Sequence, residues 1–219
     1  MRPEFISLSE ILSAGRAANF PVTEDRSGLV PWSVFVRDVG SLYNRLEANS
    51  PKRYGLICQS SYAFVVGLMA LWQRGHLAVL PANSQLGNIQ EIVPETQGIL
   101  SDKSLLKNCI PILSKGLDQP FKDWKVLPES QPVLELWTSG SAGERKRVPK
   151  QLGQLSSELA VLEKTFGLGL GSARIFSTVS HQHIYGLLFR VLWPLCAGRI
   201  FFSETPLLWE DLLLSLIHI

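Results

Sequence analysis

Short apolar runs alternate with longer amphipathic stretches along most of this 219-residue chain, and this alternation limits its possible folds more than any other feature. The runs are continuous rather than alternately apolar and polar, which is typical of strands buried on both faces. Buried strands separated by helices require a parallel sheet with helices packed on it. The sequence therefore predicts an α/β fold with a mostly parallel sheet and flanking helices.

Turn and capping residues set the predicted boundaries. Ser7 and Glu10 have the spacing of a capping box and are expected to start a short helix that ends near Gly15. Gly75 is expected to end a later helix. The predicted strands cover residues 54–58, 77–80, 98–100, 133–137, 175–179 and 199–202, and the predicted longer helices cover residues 33–46, 60–73, 154–166 and 184–195. Residues 102–131 are expected to form a loop and a connecting helix.

Composition excludes several classes of protein. Hydrophobic residues make up 46% of the chain and six residues are tryptophan, which excludes a disordered or low-complexity polypeptide. The net charge is +2, from 21 basic and 19 acidic residues, so no nucleic-acid partner is expected. Cys58, Cys109 and Cys196 are far apart and odd in number. We therefore expect them to be core residues rather than disulfide partners or zinc ligands.

No segment predicts a membrane span or a signal peptide. The best apolar run, residues 62–72, has 11 residues, whereas a helix needs about 20 to cross a bilayer. Residues 1–4 do not begin a charged region followed by an apolar stretch. We therefore expect a cytoplasmic protein.

The segment richest in chemical groups is residues 137–150. A predicted strand leads directly into a loop of hydroxyl residues and glycines, and then into cations. Glycines let backbone N–H groups converge on an anion, hydroxyls add donors and a lysine neutralises charge. Residues 144–150 carry a local charge of +3, from four cations and one acid. This combination favours phosphate binding, with a flexible surface turn of solvated lysines as the alternative on composition alone.

Spacing excludes one other kind of loop and disfavours a second. A Walker A loop requires G-x-x-x-x-G-K-[ST], but Gly143 is followed by Glu144. A serine-hydrolase elbow requires G-x-S-x-G, and residues 139–143 lack the first glycine. That hydrolase fold also needs an acid between the serine and the histidine, and no aspartate lies between Ser141 and His181.

Residues 138–148, Thr-Ser-Gly-Ser-Ala-Gly-Glu-Arg-Lys-Arg-Val, resemble the T-S-G-[ST]-T-G-x-P-K-x-[VI] loop of the adenylate-forming enzymes. These are acyl-CoA synthetases, luciferases and peptide-synthetase adenylation domains. Ala142 stands where the family usually has threonine, and Arg145 where it has proline. The resemblance implies that Lys146 offsets the charge of the pyrophosphate. It also implies that the loop holds the phosphates of ATP through Thr138, Ser139, Gly140, Ser141, Ala142 and Gly143.

Residues 180–187, Ser-His-Gln-His-Ile-Tyr-Gly-Leu, resemble the next motif of the same family. There a histidine and an aromatic residue lie at a strand-to-helix junction. The resemblance implies that His183, Tyr185 and Gly186 border the acyl pocket. Taken alone, the segment predicts only a helix-capping turn, because two histidines without a nearby cysteine supply too few ligands for zinc. A weaker similarity covers residues 55–75.

The resemblance implies an acyl-CoA synthetase-like, AMP-dependent ligase. Such an enzyme activates a carboxylic acid, fatty or aryl, with ATP and Mg²⁺ to an acyl-adenylate. It then passes the acyl group to a thiol, either of coenzyme A or of an acyl-carrier protein.

The catalytic residues of the family are not matched in this chain. The glutamate that holds Mg²⁺, the aspartate that binds ribose and the C-terminal domain with its lysine have no counterpart after residue 202. We therefore expect residues 1–213 to be a partial N-terminal AMP-binding domain that is inactive alone. Residues 214–219 are expected to be a truncated or artefactual tail, because they resemble a translated sequencing adapter. A non-catalytic nucleotide- or acyl-binding module that needs a partner chain is the alternative.

Overall fold

The computed structural model describes residues 3–48, 50–103, 109–113, 121, 123–138 and 146–204. The strands, in chain order, are β1 (Pro21–Asp25), β2 (Gly28–Pro31), β3 (Arg53–Ile57), β4 (Leu77–Leu80), β5 (Gly98–Ser101), β6 (Cys109–Pro111), β7 (Pro132–Thr138), β8 (Lys146–Gln151) and β9 (Phe201–Phe202). The α-helices are α1 (Ile11–Ala14), α2 (Trp32–Arg45), α3 (Ser61–Gln73), α4 (Leu86–Ile92), α5 (Leu152–Leu170) and α6 (Trp193–Ala197). A 3₁₀ turn, Val93–Glu95, follows α4, and a π-helix, Gly186–Leu192, leads into α6.

The main sheet has the strand order β6-β5-β3-β4-β7-β8. All neighbouring strands are parallel except β8, which pairs antiparallel with β7. The side chains of β4 and β7 are largely buried because helices cover both faces of the sheet. The predicted α/β fold with a mostly parallel sheet is confirmed.

Helices cover the two faces unequally. All 13 residues of α3 are buried, because α3 lies between the sheet and α2 and also contacts the π-helix. Ser60 caps this helix, and its hydroxyl accepts a hydrogen bond from the backbone N–H of Ala63 at 3.2 Å. The other face carries α4, whose Ile89 and Ile92 form a separate apolar cluster with the sheet. The larger core therefore lies on the side of α2, α3 and α5.

A second, small sheet has the order β2-β1-β9. β1 and β2 form an antiparallel hairpin, and β9 pairs parallel with β1. Gly28 opens β2 with a φ of +121°, a backbone conformation that favours glycine. β9 covers the last two residues of the strand predicted at residues 199–202, and that prediction is confirmed over these two residues.

Several predictions at the edges of elements were wrong. Residues 175–179 form no strand, and Ile175 makes only one isolated bridge, to Phe201. No side chain caps α1, because the Ser7 hydroxyl bonds the side chains of Ser9 and Glu10 instead of a backbone N–H. Four strands and one helix were not predicted, namely β1, β2, β6, β8 and α4.

Two helical segments follow the prediction closely. The helix expected at residues 184–195 is present. It begins with two α-helical residues, 184 and 185, continues as the π-helix and ends as α6. The apolar run at residues 62–72 lies inside α3. Among the described residues, the helices are all too short or too polar to cross a bilayer.

Candidate functional site

The carboxyl ends of the parallel strands lie together at one edge of the main sheet. In open α/β sheets, ligands bind outside this edge. β8 runs antiparallel, so its first residue, Lys146, also lies there beside Thr138 at the end of β7. A cleft of about 590 Å³ opens at the same edge. Its lining residues are Cys58, Gln59, Ser60, Ser84, Asp102, Lys103, Ser180, His181 and Glu204.

Thr138 and Lys146 form the last cross-strand pair of the β7–β8 hairpin. Both side chains are exposed, and the Thr138 hydroxyl donates a hydrogen bond to the carbonyl oxygen of Lys146 at 3.4 Å. Directly opposite pairs share one face of a sheet, so these two side chains start from adjacent positions on that face. The predicted binding residues Ser139, Gly140, Ser141, Ala142 and Gly143 lie outside the described residues.

The next pair of the hairpin fixes the base of this loop. Arg147 is paired with Trp137, and its guanidinium lies 4.6 Å from the centre of the Trp137 ring. The same guanidinium donates two hydrogen bonds to the carboxylate of Glu95, at 3.1 and 3.0 Å. Bidentate arginine–carboxylate pairs are geometrically specific. The two strands that enter and leave the loop are therefore held to the 3₁₀ turn after α4.

The three predicted acyl-site residues have different environments. His183 is exposed, and Tyr185 is 69% exposed with its ring stacked 6.0 Å from that of Phe189. Gly186 is buried against the backbone, since a Cβ there would lie 2.0 Å from the carbonyl oxygen of Ser180. Gly186 thus allows the π-helix to pack on the preceding turn, whereas His183 and Tyr185 face outward.

An apolar groove of about 510 Å³ lies between α5 and the π-helix. Its lining residues are Ser157, Glu158, Val161, Leu162, Ile184, Tyr185, Leu188 and Phe189. Tyr185 is therefore part of the groove, while Gly186 is not among these residues. The groove can accept an apolar group of modest size, and among its described lining residues the ionisable side chains are those of Glu158 and Tyr185.

The cleft contains functional groups that sequence reasoning missed. The carboxylate of Asp102 accepts hydrogen bonds from the backbone N–H groups of Gln59 and Ser60, at 3.1 and 2.8 Å, and so lies at the N-terminus of α3. Ser84 donates to the side-chain oxygen of Gln182 at 2.7 Å. Asp102 and Ser84 come shortly after predicted strands. A polar residue that follows a strand of a parallel sheet was the signal that could have found them.

Cys58 also lines the cleft but is not suited to act as a nucleophile. Its side chain is buried, and this burial, with a smaller effect of the nearby Asp102 carboxylate, raises the pKa of the thiol. All three cysteines are free thiols. Cys58 and Cys196 are buried, as expected of core residues, whereas Cys109 is only partly buried.

The described members of the two predicted groups of site residues do not contact one another directly. Among the described residues, no hydrogen bond, ion pair or ring contact links Thr138 or Lys146 to His183 or Tyr185. In the same part of the chain, no three His, Cys, Asp or Glu side chains are grouped so that they could hold a metal ion.

No protein-family model and no curated protein matches the sequence. Solved structures do match the fold, and 461 chains are similar. The N-terminal subdomain of Klebsiella oxytoca NpsA, in complex with 3-hydroxyanthranilyl-AMSN, has a TM-score of 0.75 at 16% identity, over 97% of this chain and 57% of that one. The o-succinylbenzoate CoA synthetase MenE of Bacillus subtilis, in complex with its acyl-adenylate intermediate, has a TM-score of 0.76 at 17% identity, over 97% of this chain and 59% of that one.

A third structure, the ATP-bound RpMatB-BxBclM chimera B3, has a TM-score of 0.74 at 14% identity, over 97% of this chain and 47% of that one. The chain therefore has the fold of the N-terminal domain of adenylate-forming enzymes, as the loop at residues 138–148 predicted. It spans about half the length of these solved structures.

Proposed function

We propose that this chain is part of an AMP-dependent acid–thiol ligase. The enzyme would activate a fatty or aryl carboxylic acid with ATP to an acyl-adenylate, and pass the acyl group to coenzyme A or to an acyl-carrier protein. The observation that carries the proposal is the placement of Thr138 and Lys146 as neighbours at the carboxyl edge of the sheet, on either side of the glycine- and serine-rich segment.

The proposed phosphate site is the β7–β8 hairpin and its loop. The side chains of Thr138 and Lys146 are exposed and start from adjacent positions, so the hydroxyl and the ammonium group can both contact one phosphate group. The hydrogen bonds between Arg147 and Glu95 hold the end of the β7–β8 hairpin, so Thr138 and Lys146 would keep their positions when a ligand binds. Ser139, Gly140, Ser141, Ala142 and Gly143 would supply the backbone N–H groups and hydroxyls that complete the site.

The proposed acyl site is the groove between α5 and the π-helix. Its apolar lining suits a fatty or aryl group, and solved structures of the same fold hold aryl acyl-adenylates or their analogues. Tyr185 would contact the acyl group directly. His183 lies two residues before Tyr185 on the same exposed turn, and would border the carboxylate end.

The described residues fit ATP better than they fit a metal ion. A hydroxyl and an ammonium group suit phosphate oxygens, but no carboxylate cluster in the described part of the chain suits Mg²⁺. Mg²⁺ would enter bound to the phosphates of ATP, where it offsets their charge. The residues of this chain would then orient the phosphates and exclude water from the acyl group.

We propose that the 219 residues alone give little catalysis. The family's magnesium-binding glutamate, ribose-binding aspartate and C-terminal lysine have no counterpart among them, and losing several transition-state contacts together costs orders of magnitude in rate. Binding is therefore the appropriate test.

The test is isothermal titration of the chain with ATP, comparing Lys146→Ala with Lys150→Ala. Both lysines are on β8, but Lys150 lies at the opposite edge of the sheet, near Glu158. One lost charge-assisted hydrogen bond is worth about 1.5–3 kcal/mol, so Lys146→Ala should weaken ATP binding roughly 10- to 100-fold. Lys150→Ala should leave the dissociation constant within about twofold, as expected for a distant screened charge.

Equal weakening by both substitutions would refute the site, because general charge would then explain binding. Binding of ATP that neither substitution changes would refute it as well. A wild-type chain that binds ATP and also catalyses ATP–pyrophosphate exchange would contradict the proposed inactivity. Binding of ATP only in the presence of a second polypeptide would favour the alternative of a partner-dependent binding module.

A further inference from the structure

His181 is bonded at both ring nitrogens and is 2% exposed. Its Nε2 lies 3.0 Å from the carbonyl oxygen of Cys58, and its Nδ1 lies 3.0 Å from the hydroxyl of Ser61. A carbonyl oxygen only accepts, so Nε2 carries the hydrogen and Nδ1 accepts from the serine. Burial, with a further contribution from Arg190, lowers the pKa of His181 to about 3, so the ring is neutral at neutral pH.

These bonds join the turn before the π-helix to the junction between β3 and α3. Cys58 follows the last residue of β3, and Ser61 is the first residue of α3. The ring also packs on Phe64, one turn further along α3, with ring centres 4.5 Å apart. The histidine is therefore fixed by a strand end, a helix start and an aromatic ring.

The neighbouring residue provides a second tie. Gln182 is 3% exposed, and its side-chain oxygen accepts a hydrogen bond from Ser84, which lies shortly after β4. On its other side the turn is packed against Gly186, where no side chain fits. Two consecutive inward side chains thus attach this turn to the ends of two adjacent strands.

The outward side chains of the same turn are those of the proposed acyl site. His183 is exposed, and Tyr185 lines the apolar groove. The backbone N–H of His183 donates to the carbonyl oxygen of Ser180 at 3.1 Å, and that of Leu187 donates to the carbonyl oxygen of His183 at 2.8 Å. A shift of His181 would therefore move both outward residues together.

We propose that His181 is a positioning residue for acyl recognition. It fixes the position and orientation of the turn that carries His183 and Tyr185 relative to the groove. This inference rests on the proposed function, because it assumes that the groove binds the acyl group. It also predicts that the geometry of Tyr185 depends on His181 whether or not a ligand is present.

The chain offers a matched control in His76. That ring is also fully buried, its Nδ1 accepts from the backbone N–H of Lys52 at 3.2 Å, and its Nε2 lies 2.9 Å from the carbonyl oxygen of Glu47. It lies just before β4, at the amino edge of the sheet. His181→Phe and His76→Phe each remove two hydrogen bonds from a buried ring, but only the first substitution touches the turn at the proposed site.

The first measurement is the affinity of each variant for a benzoyl-sulfamoyl adenosine, a stable acyl-adenylate analogue, and for ATP. We expect His181→Phe to weaken the analogue at least about tenfold, which corresponds to 1.4 kcal/mol, and to change ATP binding less than about threefold. His76→Phe should change neither beyond about twofold. Equal weakening of the analogue by both variants, or no weakening by His181→Phe, would overturn the positioning role.

The second measurement does not depend on ligand binding. The chain has four tyrosines, so 3-fluorotyrosine labelling gives four ¹⁹F resonances, and the Tyr185→Phe variant identifies that of Tyr185. We expect the Tyr185 resonance to shift or to broaden in His181→Phe and to stay unchanged in His76→Phe. An unchanged resonance in His181→Phe overturns the inference. A wild-type chain that binds neither ATP nor the analogue would instead overturn the proposed function. The Tyr185 resonance would then decide by itself whether His181 positions Tyr185.

Discussion

A buried ion pair between α5 and the segment after α6 permits a sharp prediction for stability. Arg199 donates to both carboxylate oxygens of Glu163, at 2.7 and 3.2 Å, and the two side chains are only 1% and 9% exposed. Trp193 donates to the same carboxylate at 2.7 Å, and the Arg199 guanidinium lies 5.2 Å from its ring. Glu163→Gln keeps an acceptor for the tryptophan but leaves a charged guanidinium buried. We expect a loss of about 3–5 kcal/mol in the free energy of unfolding.

The exposed pair between Arg147 and Glu95 is the matched control. It has the same bidentate geometry, with hydrogen bonds of 3.1 and 3.0 Å and a guanidinium 4.6 Å from a tryptophan ring, but its side chains are 45% and 40% exposed. Glu95→Gln should cost at most about 1 kcal/mol. In urea unfolding, the midpoint for Glu163→Gln should fall by about 2 M with an unchanged slope. Equal losses in the two variants would refute the argument that burial sets the cost.

Two further predictions concern the turn before the π-helix. In thermal unfolding, Gly186→Ala should destabilise the chain by about 2 kcal/mol or more, because the added Cβ would lie 2.0 Å from a backbone oxygen. Gly169→Ala in α5 is the control. Nothing lies within 4 Å of a Cβ at residue 169, so this substitution should be neutral or stabilising. Stability should also fall as the pH decreases from 6.5 to about 3, because the unfolded chain protonates His181 while the folded pKa is lowered to about 3. At 1.36 kcal/mol per pKa unit this contribution is at most about 5 kcal/mol, and urea titrations from pH 7 to pH 4 should show a smaller pH dependence in His181→Asn. A Gly186→Ala variant as stable as Gly169→Ala, or an unchanged pH dependence in His181→Asn, would contradict these expectations.

The central elements could be predicted from the sequence because their burial is continuous. Residues 54–57, 77–80 and 133–137 are apolar enough to be strands in any context that covers both faces, and α3 follows from its apolar run and its cap at Ser60. The loop motif at residues 138–148 predicted the fold that the solved structures match. These features depend on local composition and spacing, which the sequence states directly.

The elements at the edges could not be predicted, because pairing partners rather than composition define them. Residues 146–151 include three cations and are mostly exposed, and they form a strand only because β7 lies beside them. Residues 175–179 are similar in composition to a strand, yet the chain beside them offers only one bridge. An edge strand forms where a neighbouring strand still has unpaired backbone N–H and C=O groups. Its formation therefore depends on the tertiary structure rather than on its own composition.

The sequence by itself determined the class of fold, and it predicted the two segments of the proposed site from their residues and from the resemblance to a known family. Only the tertiary structure placed Thr138 beside Lys146 and separated the outward Tyr185 from the buried Gly186. It alone brought His181 to Cys58 and Ser61, which are more than 100 residues away along the chain. Hydrogen bonds over such separations depend on how strands β3 and β4 are ordered in the sheet, and no local pattern of residues encodes that order.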